Sequence, residues 1–334
     1  MRASAWMLAA GFAAHSAWAA PDPAAATGVV AVLVTIENDK FFAGSDRHYT
    51  QGLRVQVSAR RGLDGEVEKK VAALLQKLPW QPALTDAKAS FAFGQDMFTP
   101  EDTETPALLR HDRPYAAWLY LATGYHAIIE GRRSLTAELS YGVVGPHALG
   151  AWAQNRWHDV IKVPHAQGWA NQLHHEIGLN AAAEWRYRYR RPWFDFIPRV
   201  GLALGNIRTH LALGAALRIG LRLPDDFGSD LIRPATTAGA AAPVAFGAHV
   251  FVSAEARAVG RDIFLDGNTF RASHSVPKRP VVADLNAGFS LHGPWKVFHS
   301  RGWVLTYTQN YRTKEFYGQP RQDVFGSVSL GLLF

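Results

Sequence analysis

The sequence predicts an all-β protein: a twelve-stranded antiparallel transmembrane β-barrel with short helical excursions. Three observations point to it. The chain ends Phe325-Gly326-Ser327-Val328-Ser329-Leu330-Gly331-Leu332-Leu333-Phe334, with large apolar groups at every second position up to a terminal aromatic. That period describes a strand with one lipid-facing side, as the closing strand of a barrel requires. At the other end, Arg2 precedes the apolar run Ala5 to Ala14, and Ala17-Trp18-Ala19 supplies a small-x-small cleavage pattern. Residues 1–19 therefore read as a secretory signal and 20–334 as a single barrel domain. The apolar run is shorter than the ~20 residues a membrane helix needs, and no later stretch reaches ~18. Third, apolar/polar alternation recurs along the rest of the chain.

Taken in order, the alternating segments are 29–38, 49–60, 88–96, 115–126, 133–143, 176–188, 195–205, 208–222, 245–257, 280–292, 302–312 and 322–334. They number twelve, the even count expected of such a barrel. In 208–222, Leu211, Leu213, Leu217, Ile219 and Leu221 share one face, while His210, Arg218 and Arg222 share the other. In 176–188, Glu176, Asn180, Glu184, Arg186 and Arg188 stand opposite Ile177, Leu179, Trp185 and Tyr187. Charged side chains are costly against lipid, so the polar face is assigned to the lumen. Glu66 to Leu78 carries apolar residues at 67, 71, 74, 75 and 78, the spacing of a short amphipathic helix. Gly145 to Gln172 lacks clean alternation and is rich in Trp, His, Gln and Asn; a long ordered excursion of this kind is usually functional. Asp225 to Pro243, rich in Ala, Gly, Thr and Pro, reads as a loop.

Composition narrows the function. There is no cysteine, so neither disulfides nor thiolate metal sites contribute. The formal charge is +7, and +6 once Arg2 leaves with the signal. A basic, exported protein suits phosphorylated lipids rather than nucleic acid. Eleven tryptophans, ten tyrosines and eighteen phenylalanines suit interfacial aromatic girdles, although core packing would also use them.

Polar chemistry concentrates in three blocks. Glu37-Asn38-Asp39 closes the first strand and offers hard oxygen ligands suited to calcium, or an ordinary turn. Asp46-Arg47-His48-Tyr49-Thr50-Gln51-Gly52 opens the second; extrapolating its alternation puts Thr50, Gly52, Arg54, Gln56 and Ser58 on the lumen face. In Gln154-Asn155-Arg156-Trp157-His158-Asp159 a helix would bring Gln154 and His158, four apart, onto one side, and a neutral histidine can act as a base. There is no Gly-x-Ser-x-Gly elbow.

These blocks, together with Asp112-Arg113-Pro114-Tyr115-Ala116, Gly145-Pro146, Gly168-Trp169 and Gln172, resemble the lipid A 3′-O-deacylase family of Gram-negative outer membranes. The likeness spans residues 37–172. It implies a calcium-dependent hydrolase that removes the 3′-linked acyloxyacyl group of lipid A or lipopolysaccharide by a His-activated water, in a monomeric multi-pass barrel. By resemblance Asn38 and Asp39 fall at metal positions, and Thr50, Gln154 and His158 at catalytic ones. The family's carboxylate and lysine have no clear counterpart: the position six after His158 is Pro164, and Asp159 and Glu176 are only neighbouring candidates. Arg54, Arg110 and Arg113 are candidates to neutralise lipid A phosphates, although Arg113 could instead pair with Asp112. An outer-membrane phospholipase and a passive porin are the rival readings.

Overall fold

The computed structural model describes residues 28–39, 48–228, 245–295 and 300–334. The signal segment, Asp46-Arg47 and most of Asp225–Pro243 lie outside the described residues. The strands are β1 (Gly28–Asn38), β2 (His48–Arg60), β3 (Leu84–Thr99), β4 (Ala116–Ile129), β5 (Arg133–Val144), β6 (Glu176–Tyr187), β7 (Tyr189–Arg191), β8 (Phe194–Gly205), β9 (Arg208–Leu221), β10 (Gly247–Asp262), β11 (Val281–Pro294), β12 (Gly302–Arg312) and β13 (Asp323–Leu333). Each pairs antiparallel with its neighbour in sequence except at β6 and β7, which do not pair with one another. β6 and the short β7 both pair with β8, so together they make one wall of a twelve-strand barrel.

Closure joins the two ends of the chain. β1 pairs β13 from Ala31↔Leu333 to Asn38↔Gly326, and the Phe334 amide donates to the Val30 carbonyl at 3.0 Å. A closed cylinder leaves no strand edge unpaired in lipid, which is what allows β-structure to cross a membrane. Alternation works as the sequence implies. Val55, Val57, Phe91, Phe93, Leu202, Leu211, Leu213 and Leu330 stand exposed on the outer wall.

The lumen is filled with paired charge. Arg54 meets Glu138 at 2.7 Å, Arg218 meets Asp195 at 2.6 Å, Arg199 meets Glu255 at 3.2 Å, and Asp284 takes both Arg257 (2.6 Å) and Arg312 (2.7 Å). Buried charges persist only when paired in this way. Two lumenal cavities, one beside Glu37 and Asp96 and one beside His210 and Arg279, measure about 20 and 30 Å³, enough for a water or two each.

The loops divide between the two ends. At the end where β1 starts and β13 finishes lies α1 (Glu66–Leu75), where the sequence predicts a helix. The distal end carries residues 100–115, 145–175, 263–280 and 313–322, which interlock. Arg113 reaches Glu315 at 3.0 Å, Arg321 reaches Glu101 at 2.8 Å, and His274 Nε2 donates to the Asp112 carbonyl at 2.7 Å. The short α3 (Ile263–Asp266) follows β10 here; its four residues are too few to show a helical period in sequence.

Candidate functional site

The 145–175 excursion becomes a helix laid on the outside of the barrel. α2 (Gly150–Ile161) is preceded by a 3₁₀ turn at Pro146–Ala148 and followed by another at Gly168–Asn171. Gly145 turns the chain with φ 92°, and a Cβ there would lie 2.6 Å from the His174 carbonyl carbon. Only glycine fits such a turn. Gly150 permits an equally close approach, since a Cβ would stand 2.6 Å from that of Ala117 and 2.5 Å from the Trp169 ring. Gln95 of β3 donates to the Ala148 carbonyl at 2.6 Å. Met97, Tyr115, Ala117, Ala148, Ala166 and Trp169 then form one buried apolar cluster, with Tyr115 and Trp169 ring centroids 5.0 Å apart. The Gly145-Pro146, Tyr115 and Gly168-Trp169 blocks thus hold the helix against the wall.

Gln154 and His158 occupy the buried face of α2, 1% and 3% exposed. The Trp169 indole N–H donates to Gln154 Oε1 at 2.7 Å. His158 Nδ1 lies 2.5 Å from the Pro164 carbonyl oxygen. A carbonyl can only accept, so Nδ1 carries the proton, and in the neutral ring Nε2 carries the lone pair. The Pro164 carbonyl therefore holds the ring from the position where the resemblance directs attention to a carboxylate. The neighbouring candidates are engaged elsewhere. Asp159 takes His165 at 2.7 Å, a hydrogen bond that holds its carboxyl below the usual range. Glu176 accepts from Asn206, Asn268 and the Thr269 amide.

Asn38 and Asp39 stand at the distal end of β1, both buried. Asn38 Nδ2 donates to the Thr50 carbonyl at 3.1 Å, which leaves the amide oxygen as its donor atom toward any cation. Asn38 pairs in register with Gln51, and Gln51 with Met97. Cross-strand partners share a face, so Asn38 lies on the outer wall in the row that leads to Met97 beneath Trp169.

Thr50 departs from the lumen placement that alternation suggests. A β-bulge falls between Tyr49 and Gln51, where the extra residue breaks the two-residue period. Tyr49 takes the inward position and donates its hydroxyl to Glu37, while Thr50 Oγ1 bonds Thr99 Oγ1 at 2.7 Å. Thr50 thus belongs to the strand-end network of Asn38 and Thr99. Contacts run from Asn38 through Thr50 and Thr99 along β3 to Met97, then Trp169 and Gln154, with His158 one turn further along the same buried face of α2. Thr99 and Trp169 carry no titratable group, so a search for chemistry passes over them.

The arginines answer differently. Arg54 is buried on Glu138, and Arg113 is fully buried on Glu315 with its guanidinium 4.8 Å over the Phe98 ring. Asp112 instead accepts from the Glu101 amide at 2.8 Å and from the Arg113 amide at 2.7 Å. Neither arginine reaches a lipid phosphate; Arg110 remains on the exposed surface.

Among the described residues no group of three or more His, Asp or Glu side chains is gathered for a metal. The Asn38 amide oxygen and Asp39 carboxylate suit a hard cation whose remaining ligands are backbone carbonyls and water, and not a histidine-rich zinc site.

Comparison with known proteins completes the assignment. A model of the outer membrane protein LpxR family matches residues 5–334. LpxR from Salmonella typhimurium shares the fold with a TM-score of 0.71 at 18% identity, over 91% of this chain and 100% of that one. The translocator domain of autotransporter NalP from Neisseria meningitidis aligns at TM-score 0.41 and 13% identity, over 92% and 88% of the two chains. The beta domain of the Bordetella autotransporter Brka gives 0.44 and 11%, over 92% and 99%. No curated protein gives a significant sequence match. The closed barrel and the match over nearly its whole length place the protein in the outer membrane, and the chain belongs to the outer membrane protein LpxR family, the lipid A 3′-O-deacylases that its sequence blocks resemble.

Proposed function

We propose that the protein is a calcium-dependent lipid A 3′-O-deacylase that works on the outer face of its barrel, beneath α2. The observation that carries the reading is the His158–Pro164 hydrogen bond, which fixes Nδ1 as donor and presents Nε2 as a base. His158 Nε2 takes a proton from water as the water oxygen bonds to the ester carbonyl carbon. Collapse of the tetrahedral intermediate breaks the bond to the sugar oxygen, and His158 returns the proton to that departing alkoxide. The acyloxyacyl chain leaves as a carboxylic acid and the sugar keeps a 3′-hydroxyl, with no covalent acyl-enzyme. Gln154, which accepts from Trp169, and Thr50, which bonds Thr99, are the polar groups assigned to meet the developing oxyanion. Asn38 and Asp39 would hold calcium, which supplies Lewis-acid polarisation of the carbonyl.

The ion-paired lumen favours this reading over a passive pore, because the arginines and carboxylates that would line a channel are bonded to one another. The test is mass spectrometry of lipid A after expression of the wild type and of His158→Ala, with and without chelator. Loss of one acyloxyacyl unit in the wild type alone supports the proposal. Unchanged lipid A with released lysophospholipid would instead indicate a phospholipase, and no change in either lipid a pore.

A further inference from the structure

We infer that α2 is an interfacial membrane helix whose outward face is seated in the lipid at the distal rim of the barrel. The inference rests on the place of the barrel in the outer membrane, not on the hydrolytic reading.

Two faces of α2 have opposite character. Gln154 and His158 point to the wall. On the other side, Leu149, Trp152, Arg156 and Val160 recur at spacings of three and four, one stripe of a helix. Leu149, Trp152 and Val160 are 51%, 65% and 71% exposed, and Trp157 beside them 45%. Three large apolar side chains left open on a twelve-residue helix, with Leu149 open at its N-cap, need a non-aqueous neighbour.

Continuity with the lipid-facing wall says what that neighbour is. Along one face of β3, Phe91 and Phe93 are exposed, Gln95 binds the Ala148 carbonyl, and Met97 is fully covered by the α2 platform. Two residues of strand advance roughly 7 Å, so α2 begins immediately above the exposed aromatic belt. The adjoining wall, at Tyr141 of β5 and Ile177 of β6, is also open and apolar. The helix therefore stands at the boundary where tryptophan is favoured and where an amphipathic helix lies in the membrane plane.

Charge agrees with the position. Arg156 lies within the apolar stripe with its side chain 71% exposed, and Lys162 ends the helix on the surface. The partner of Arg156, Asp159, is a solvent-screened contact at 3.6 Å and already bonds His165. Both cations are placed to meet anionic headgroups, as in other interfacial helices.

The chain has no cysteine, so a single introduced thiol is a unique probe. Val160→Cys and, separately, Trp152→Cys would carry an environment-sensitive fluorophore, with barrel insertion checked by heat-modifiable gel mobility. The folded proteins would be reconstituted into phosphatidylcholine–phosphatidylglycerol vesicles containing a doxyl-quencher lipid. Leu213→Cys on the wall and Glu104→Cys in a distal loop serve as references. Quenching at 160 and 152 that approaches the Leu213 level, several-fold above the Glu104 level, is the expected result. Quenching at both positions no greater than at Glu104 overturns the inference. No substrate enters the measurement, so failure of the deacylase reading leaves its outcome untouched.

Discussion

The lumen and the outer wall beneath α2 both bury polar side chains, but they do so differently. Inside, arginines and carboxylates pair at 2.6–3.2 Å, as in Arg218–Asp195 and Arg199–Glu255. Outside, short sets of hydrogen bonds satisfy mainly uncharged groups: Asn38 with Thr50 and Thr99, Trp169 with Gln154, and His158 with the Pro164 carbonyl. A closed ion pair satisfies its own members and holds walls together. An imidazole held through Nδ1 has a second nitrogen that can exchange a proton. Charge density therefore marks the scaffold in this protein, and the sparser neutral network marks the candidate chemistry.

The contrast can be broken most sharply at His158. His158→Ala is expected to lower deacylation by about 10²–10⁴ while the heat-modifiable mobility of the barrel is unchanged; mass spectrometry of lipid A gives the first readout and gel shift the second. Asp39→Ala, or chelation of the wild type, is expected to cost about 10²–10³ in rate, the scale of losing one transition-state charge partner. Titrating calcium back should rescue the chelated wild type and not the variant. Arg312→Met acts on the other region: it leaves Asp284 with Arg257 alone and Glu315 with Arg113 alone, so unfolding in urea should show a loss of about 1.5–3 kcal/mol, the scale of a hydrogen bond to a charged group, with activity per folded molecule preserved. A comparable loss of activity in that folded population would erase the distinction between the two regions.

Acid titration sharpens the same division. Burial pushes Glu315 up, but Arg312 and Arg113 outweigh it and hold the carboxyl at about 2, against an ordinary value of 4.5. Its folded value is depressed, so its contribution is present above pH 4.5 and fades as pH falls toward 2. Acid unfolding curves of the wild type and Glu315→Gln should therefore diverge above that window and converge below it. The smallest effect is expected at Trp169→Phe, which removes one neutral hydrogen bond to Gln154. A loss of about 1 kcal/mol, near fivefold in rate, is the scale of that bond.

The barrel was largely legible because lipid enforces a period of two. Each strand had to present leucine, valine or phenylalanine outward, and β9 reads this way almost without exception. The helix of 150–161 was legible only as an interruption, yet Gln154 and His158 do share its buried face. What alternation concealed was Thr50, because the bulge at Tyr49 is a backbone event with no residue signature of its own. The arginines misled for a related reason. A sequence shows that Arg54 and Arg113 are cationic, but not that Glu138 and Glu315, 84 and 202 positions away, complete them.

The Pro164 carbonyl has a consequence for how this protein would answer genetic interrogation. Every amino acid brings the same oxygen to position 164, so a scan of single substitutions would register tolerance at a place that steers the imidazole. Nor does an amide oxygen titrate. Acid therefore cannot release the ring by protonating that post, as it would where a carboxylate stood there.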